Sequence, residues 1–100
     1  MSEINDLVRK SLLFDFYGPL LTEHQKRIYE EVVLNDYSMS EIAEDEGISR
    51  QGVHDMIKRC DKVLEEYEHR LGLVKKFNDI KKLAENSSDK ETAAKILEIL

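Results

Sequence analysis

Charged and amide side chains recur at helical spacing between residues 49 and 62. An arginine can pair with O6 and N7 of guanine, and a glutamine with N6 and N7 of adenine, so Arg50 and Gln51 are candidate base contacts. The basic residues that follow suit phosphate groups. This order is typical of a helix that lies in the major groove with its N-terminal end toward the bases. The candidate nucleic-acid-binding residues are Ser49, Arg50, Gln51, His54, Asp55, Lys58, Arg59 and Lys62.

A pair of helices joined at Gly47 is predicted to position these side chains. The first helix, about residues 39–46, is short because a glycine permits the left-handed backbone that ends a helix. The small Ala43, four residues before the glycine, allows the second helix to cross the first closely. Ser49 is the predicted N-cap of the second helix, whose apolar face continues to Gly72. The pattern therefore predicts a helix-turn-helix.

Further helices are predicted on both sides of this pair. Residues 4–17 have helical apolar spacing, and Gly18-Pro19 ends that helix. Thr22 and Gln25 form a capping box that begins a second helix, and Ser38 with Glu41 repeats the pattern before the third.

The C-terminal part is predicted to form two helices. Leu73, Phe77, Ile80 and Ala84 outline the apolar face of a fifth helix. Ser88 and Glu91 form the capping box of a sixth, whose apolar residues are Ala93, Ile96, Leu97 and Leu100. We therefore expect an all-α fold of about six helices, with a helix-turn-helix domain at residues 1–72 and a helical hairpin at 73–100 in the same compact unit.

Composition supports one small helical domain. The chain has 100 residues, of which 41% are hydrophobic and 36% charged, with a single proline and four glycines. A β-sandwich or barrel normally needs more turn residues. Residues 1–49 carry 4 basic and 11 acidic side chains, a balance of −7, whereas residues 50–76 carry 7 basic and 5 acidic, a balance of +2. Positive charge is thus concentrated on the predicted groove-reading helix, although carboxylates crowd the helix before it and would repel phosphate.

Other classes of function have little support in the sequence. The three histidines lack companion ligands at metal-binding spacing, and no phosphate-binding glycine loop or acid–base pair is evident, so we expect no cofactor, no metal and no enzyme activity. Cys60 lies on an apolar stripe and is expected to be a core residue. The single cysteine and the lack of an evident signal peptide or membrane-length apolar run favour a cytoplasmic protein.

The chain resembles the YlxM family of small bacterial helix-turn-helix proteins. The segments that carry the resemblance are Leu12 to Thr22 (LLFDFYGPLLT), Tyr37 to Glu44 (YSMSEIAE), Ile48 to Val53 (ISRQGV) and Ile57 to Arg59 (IKR). The family is similar to the promoter-reading fourth region of sigma factors, and its genes lie beside those of the signal recognition particle. Gly52 and His54 depart from the alanine and tyrosine usual in the family.

Two hypotheses follow. The first is a DNA-binding regulatory protein that reads the major groove and takes part in the signal recognition particle pathway. We expect it to form a homodimer, so that each subunit places one reading helix in the groove. The second, which the resemblance and the acidic surface suggest, is an interaction module that binds the GTPase or the RNA of that particle without recognising a promoter.

Overall fold

The structure, a computed structural model, describes residues 2–100, with side chains from Asn5 onward. In this part of the chain the fold is all-α, which confirms the predicted fold class. A short 3-10 helix (Gly18–Leu20) follows the first α-helix, and a short π-helix (Glu30–Leu34) follows the second. The helices are α1 (Ser2–Tyr17), α2 (Glu23–Tyr29), α3 (Met39–Glu46), α4 (Arg50–Leu71), α5 (Leu73–Glu85) and α6 (Lys90–Ile99).

The helix starts in the N-terminal half follow the predicted caps. The Thr22 hydroxyl accepts a hydrogen bond from the Gln25 amide at 3.1 Å, and the Gln25 side chain accepts one from the Thr22 amide at 3.1 Å. This is the reciprocal capping box that the sequence predicted. At α3 the Ser38 hydroxyl accepts from the Glu41 amide at 3.1 Å, so the hydroxyl half of the second box is confirmed.

The core lies between α4 and the helices α1, α2 and α3. Aromatic rings fill much of it, since Phe14 stacks on Tyr29 and Tyr17 stacks on Tyr67 with centroids 5.6 and 5.9 Å apart. The Cys60 thiol is fully buried, as predicted for a core residue. Burial raises the pKa of this thiol to about 11, which keeps it protonated and unreactive. The most deeply buried side chains are Leu13, Tyr17, Ile28, Tyr29, Ile42, Val53, Cys60, Leu64 and Val74.

The C-terminal helices differ from the prediction in two details. The N-cap of α6 is Asp89, whose carboxylate accepts from the Thr92 amide at 3.0 Å, so the predicted capping box at Ser88 is wrong by one residue. On α5 the predicted face is also partly wrong, because Val74 and Ala84 are buried while Leu73 and Ile80 are exposed.

The apolar face predicted for α1 needs a similar correction. Leu7 and Val8 are about half exposed, whereas Leu13 and Tyr17 are buried, so only the C-terminal half of this helix enters the core. Ile4, which the same prediction included, lies outside the described side chains.

A polar clamp fixes α5 to the remainder of the fold. The Glu68 carboxylate, near the end of α4, accepts hydrogen bonds from the amides of Val74 and Lys75 at 3.0 and 3.1 Å. The Tyr17 hydroxyl donates to the same carboxylate at 2.5 Å and accepts from the Leu73 amide at 3.1 Å. The residue before α5 is the left-handed Gly72, which has no side chain to cap the helix. Glu68 and Tyr17 therefore accept the hydrogen bonds of the first amides of α5.

Candidate nucleic-acid interface

The turn at Gly47 has the geometry that the sequence predicted. Gly47 adopts a left-handed backbone with φ of 68°. The Gly47 amide donates to the Glu44 carbonyl at 3.3 Å, and the Ile48 amide donates to the Ala43 carbonyl at 3.1 Å. This pair of bonds is a Schellman motif, which ends α3 and redirects the chain into α4. Ala43 is buried, and α3 packs against α4.

Ser49 caps the N-terminus of α4. Its hydroxyl accepts from the Gly52 amide at 2.9 Å, which confirms the predicted cap. A side chain at position 52 would place its Cβ 3.3 Å from this hydroxyl oxygen, so glycine leaves the cap undisturbed. The capped end carries the positive pole of the helix dipole and aims the first turn of α4 outward.

Most of the candidate residues lie on the side of α4 that faces solvent. Val53, Ile57, Cys60 and Leu64 point into the core. Every candidate nucleic-acid-binding residue is exposed except His54, which is half-buried. Within this set Gln51, Asp55, Lys58 and Lys62 follow one another at spacings of four, three and four residues, which places them on one helical stripe.

Gln51 is held by its neighbours on α4. Its amide nitrogen donates to the Asp55 carboxylate at 3.0 Å and lies 3.4 Å from Nδ1 of His54. The same carboxylate oxygen of Asp55 lies 3.7 Å from Nδ1 of His54. In this arrangement the side-chain nitrogen of Gln51 is engaged by Asp55. A bidentate contact to adenine, as the sequence predicted, needs the carbonyl oxygen of Gln51 and one of the two hydrogens of this nitrogen, and the bond to Asp55 uses one of those two.

A shallow depression lies beside the start of α4. It has a volume of about 280 Å³ and is lined by Met39, Arg50, Gln51 and His54. Sequence reasoning gave Met39 no part in this surface, and no feature of the sequence near this residue indicates one. The half-buried Met39 side chain gives the depression an apolar wall next to the Arg50 guanidinium.

The carboxylates of α3 are only partly neutralised. Glu46 pairs with Arg27 at 2.6 Å and with Nε2 of His24 at 3.1 Å, and these two side chains belong to α2. The hydrogen bonds from His24 and Arg27 lower the pKa of Glu46. Glu44 and Asp45 remain exposed beside the turn. The repulsion of phosphate that the sequence suggested is thus reduced at Glu46 and persists at Glu41, Glu44 and Asp45, which are all exposed.

Sequence reasoning missed the polar contacts that join α4 to α1 and α2. Arg9 of α1 donates two hydrogen bonds to Glu65 at 2.9 and 2.7 Å. The Tyr29 hydroxyl donates to Asp61 at 2.6 Å, and Lys10 lies 3.7 Å from the same carboxylate. Burial and the Asp61 contact raise the pKa of Tyr29 well above its usual value, so this phenol stays a donor. These contacts join residues 32 to 56 positions apart, for which one sequence has no local signal.

Among the residues that the structure describes, no group of three or more His, Cys, Asp or Glu side chains could hold a metal ion. None of the helices in that part of the chain is both long enough and apolar enough to span a membrane.

The exposed, capped α4 after a tight glycine turn from α3 defines a helix-turn-helix protein. Residues 4–99 match the model of a protein family described as "Putative helix-turn-helix protein, YlxM / p13 like", and the chain belongs to this family. The resemblance seen in the sequence is thereby confirmed.

Three relatives show how far the similarity extends. UPF0122 protein TTE1463 of Caldanaerobacter subterraneus is 52% identical over 81 residues, which are 81% of this chain and 69% of that protein. UPF0122 protein Teth514_1714 of a Thermoanaerobacter species is 46% identical over 103 aligned positions, covering 96% of this chain and 88% of that protein. UPF0122 protein YlxM of Bacillus subtilis is 43% identical over 99 positions, covering 92% of this chain and 90% of that protein.

Proposed function

We propose that this protein is a cytoplasmic DNA-binding regulatory protein, without enzyme activity, that inserts the N-terminal half of α4 into the major groove. Arg50, Gln51, His54 and Asp55 contact base edges in this proposal, and Ser49 with the first amides of α4 holds a phosphate. Lys58, Arg59 and Lys62 contact phosphates further along the groove. The observation that carries the proposal is that seven of these eight side chains are exposed and that Gln51, Asp55, Lys58 and Lys62 form a stripe on the solvent side of α4, opposite its core residues.

The electrostatics of α4 support the same proposal. Within the described residues, Arg50, Lys58, Arg59 and Lys62 enter none of the ion pairs of the fold. Their charges are therefore available to a polyanion without first breaking an internal contact. In the described part of the chain, the ion pairs that join different helices involve Arg9, Lys10, His24 and Arg27, which lie on α1 and α2 and support the scaffold.

A salt titration of DNA binding tests the proposal. Three to five phosphate contacts predict a slope of log affinity against log salt concentration of about −3 to −4.5. Fluorescence anisotropy with a pool of random duplexes measures this slope, and the variant with Arg50, Lys58, Arg59 and Lys62 all changed to alanine is the control. The absence of binding to any duplex at low salt contradicts the proposal.

The proposal includes a homodimer. Helix-turn-helix dimers read two half-sites about 34 Å apart, one turn of DNA, because each copy places one reading helix in a successive major groove. The long α4 and the C-terminal hairpin offer surfaces on which two copies can meet without covering the first turn of α4.

The alternative function is an interaction module for the signal recognition particle, with its GTPase or its RNA as the partner. The observation that favours it, with the GTPase as the partner, is the excess of exposed carboxylates in residues 5–49, including Glu44 and Asp45 beside the turn, which repel a nucleic-acid backbone and suit a basic protein surface. Co-purification from cell extract separates the two functions. Recovery of neither the GTPase nor the RNA counts against the alternative, and the same extract analysed for bound duplex DNA tests the leading proposal.

A further inference from the structure

The shallow depression beside the start of α4 combines an apolar wall with polar side chains. Met39 forms the apolar wall, and Arg50, Gln51 and His54 form the rest of the lining. These three polar residues contact base edges in the proposed function, so the depression belongs to the same surface. Its volume of about 280 Å³ lies below the range of about 300–1,000 Å³ that is usual for sites enclosing a small molecule. The depression therefore suits one projecting group of a larger ligand.

The start of α3 holds Met39 in place. Met39 is the first residue of this helix, directly after the N-cap Ser38, whose hydroxyl accepts a hydrogen bond from the Glu41 amide. Its half-buried side chain packs against the core and also lines the depression. Methionine is unbranched and its sulfur is polarisable, so the part that reaches the surface adapts to the shape of a small apolar group. The helix pair thus presents one apolar contact among polar side chains.

The major-groove edge of thymine matches this lining better than the other groups of DNA do. Thymine presents a C5-methyl group and the O4 acceptor, whereas cytosine presents a donor and the purines have no methyl group. The methyl group suits Met39, and the donors of Arg50 and Gln51 suit O4 of thymine or the acceptors of an adjacent purine. A phosphate gains nothing from an apolar wall. A purely apolar ligand would remove polar side chains from water without giving them partners.

We propose that this depression holds the C5-methyl group of a thymine, next to the base that Arg50 contacts. Met39 is then a specificity-determining residue, although it lies on α3 and not on α4. The inference rests on the proposed function, because it requires α4 to lie in the major groove with Arg50 and Gln51 toward the bases. It adds a preference for thymine at one position of the DNA site and assigns that preference to a residue outside the candidate set.

A single chemical change in the DNA tests the proposal. Deoxyuridine lacks only the C5-methyl group of thymidine, so replacing the thymines of a duplex selected from a random pool, one at a time, removes one methyl group in each duplex. Fluorescence anisotropy measures the affinity of the wild-type chain for every duplex. We expect one position at which deoxyuridine lowers the affinity about fourfold, which is the effect of losing one buried methyl group. This loss should be equal at all salt concentrations, because an apolar contact releases no counterions.

Four protein variants connect that position with Met39. Met39→Ala and Met39→Gln should bind the thymine and deoxyuridine duplexes equally well, because both remove the apolar wall, and glutamine does so with little change in side-chain length. Met39→Leu keeps an apolar wall and should retain most of the preference. Met56→Ala is the matched control, because Met56 is also half-buried against the core but does not line the depression, so the whole preference should remain. Circular dichroism checks that the variants keep the helix content of the wild type.

Three results would overturn the inference while leaving DNA binding by α4 intact. They are a selected duplex in which no position is sensitive to deoxyuridine, a preference for thymine that survives both Met39→Ala and Met39→Gln, and an equal loss of the preference in Met56→Ala. A wild-type chain that binds no duplex at low salt contradicts the proposed function itself, and the inference fails with it. The first titration of the wild type therefore distinguishes the two failures.

Discussion

At the scale of single residues, exposure could be predicted from the sequence and local bonding could not. The helical period of the apolar residues indicates which α4 side chains face solvent, and the structure agrees for Gln51 and Lys58. Arg50 shares the helical phase of the buried Val53 and is exposed all the same, at the first position of α4. The hydrogen bond from Gln51 to Asp55 depends on rotamers that the period does not determine. The sequence pattern therefore indicates which residues belong to the candidate site, and only the structure shows which of their polar groups already form hydrogen bonds with one another.

Arg50→Ala and Lys62→Ala are predicted to weaken DNA binding in different ways. Loss of a base contact at Arg50 should reduce discrimination at one base pair by about 1–3 kcal/mol. Loss of a phosphate contact at Lys62 should weaken binding to all sequences alike and make the salt slope shallower by about 1. Both side chains are exposed and neither enters an ion pair of the described fold, so stability should not change.

Anisotropy with a panel of single-base-pair variants of one selected duplex measures both effects. Lys90→Ala, an exposed lysine at the start of α6, is the control for removal of a positive charge elsewhere. Equal loss of affinity on every duplex for Arg50→Ala would show that this side chain contacts phosphate only.

At the scale of helices, the starts and ends of the N-terminal elements were predictable because their signals are local. A hydroxyl at the N-cap and a glycine at the end act within one turn, and Thr22, Ser49 and Gly47 each behave as predicted. The start of α6 was harder, because Ser88 and Asp89 are adjacent residues that can both cap a helix. The buried face of α5 was harder still to predict, because it depends on where α1 and α6 pack against this helix. The spacing of the apolar residues of α5 is compatible with two adjacent faces of the helix.

Gly47→Ala is predicted to destabilise the fold by about 1–2 kcal/mol. The cost comes from the left-handed backbone, which residues with a Cβ adopt unfavourably. No atom lies within 4 Å of a Cβ built at this position, so neighbouring side chains add nothing to the cost. Urea denaturation followed by circular dichroism measures the free energy of unfolding.

Gly47→Asn provides the internal comparison, because asparagine tolerates the left-handed region better than alanine does. We expect Gly47→Asn to recover part of the lost stability. Equal stability of wild type and Gly47→Ala would contradict the role of the turn, and equal loss in both variants would point to a cause other than backbone conformation.

At the scale of the whole molecule, the assembly of helices depends on contacts between distant residues. Arg9 with Glu65 and Tyr17 with Glu68 join α1 to α4, and these partners are 56 and 51 positions apart. A single sequence shows that a charged residue is present but does not identify the residue with which it pairs. The division into residues 1–72 and a hairpin at 73–100 stays a prediction. The clamp that fixes α5 to α1 could be recognised only from the structure.

This clamp is predicted to make stability depend on pH in the acid range. Burial raises the pKa of Glu68, but the hydrogen bonds from Tyr17, Val74 and Lys75 outweigh it and leave the pKa below the ordinary value of 4.5. A carboxyl whose pKa is lower in the folded state stabilises the fold above the unfolded pKa, and this contribution is lost as the pH falls through the folded value. Glu68→Gln should therefore cost about 1–2 kcal/mol near pH 7, after allowance for solvent screening, and progressively less below about pH 4.5.

Thermal unfolding of wild type, Glu68→Gln and Glu66→Gln between pH 3 and pH 7 measures this linkage. Glu66 is the matched control, because it is an exposed glutamate two residues away that forms no ion pair within the described residues. Both substitutions remove one negative charge, so a change in overall charge alone would affect them equally. A difference between the two that is large at pH 7 and vanishes in acid assigns the effect to the bonds of Glu68 with Tyr17 and the start of α5. Identical pH profiles would mean that these bonds do not hold the hairpin to α1.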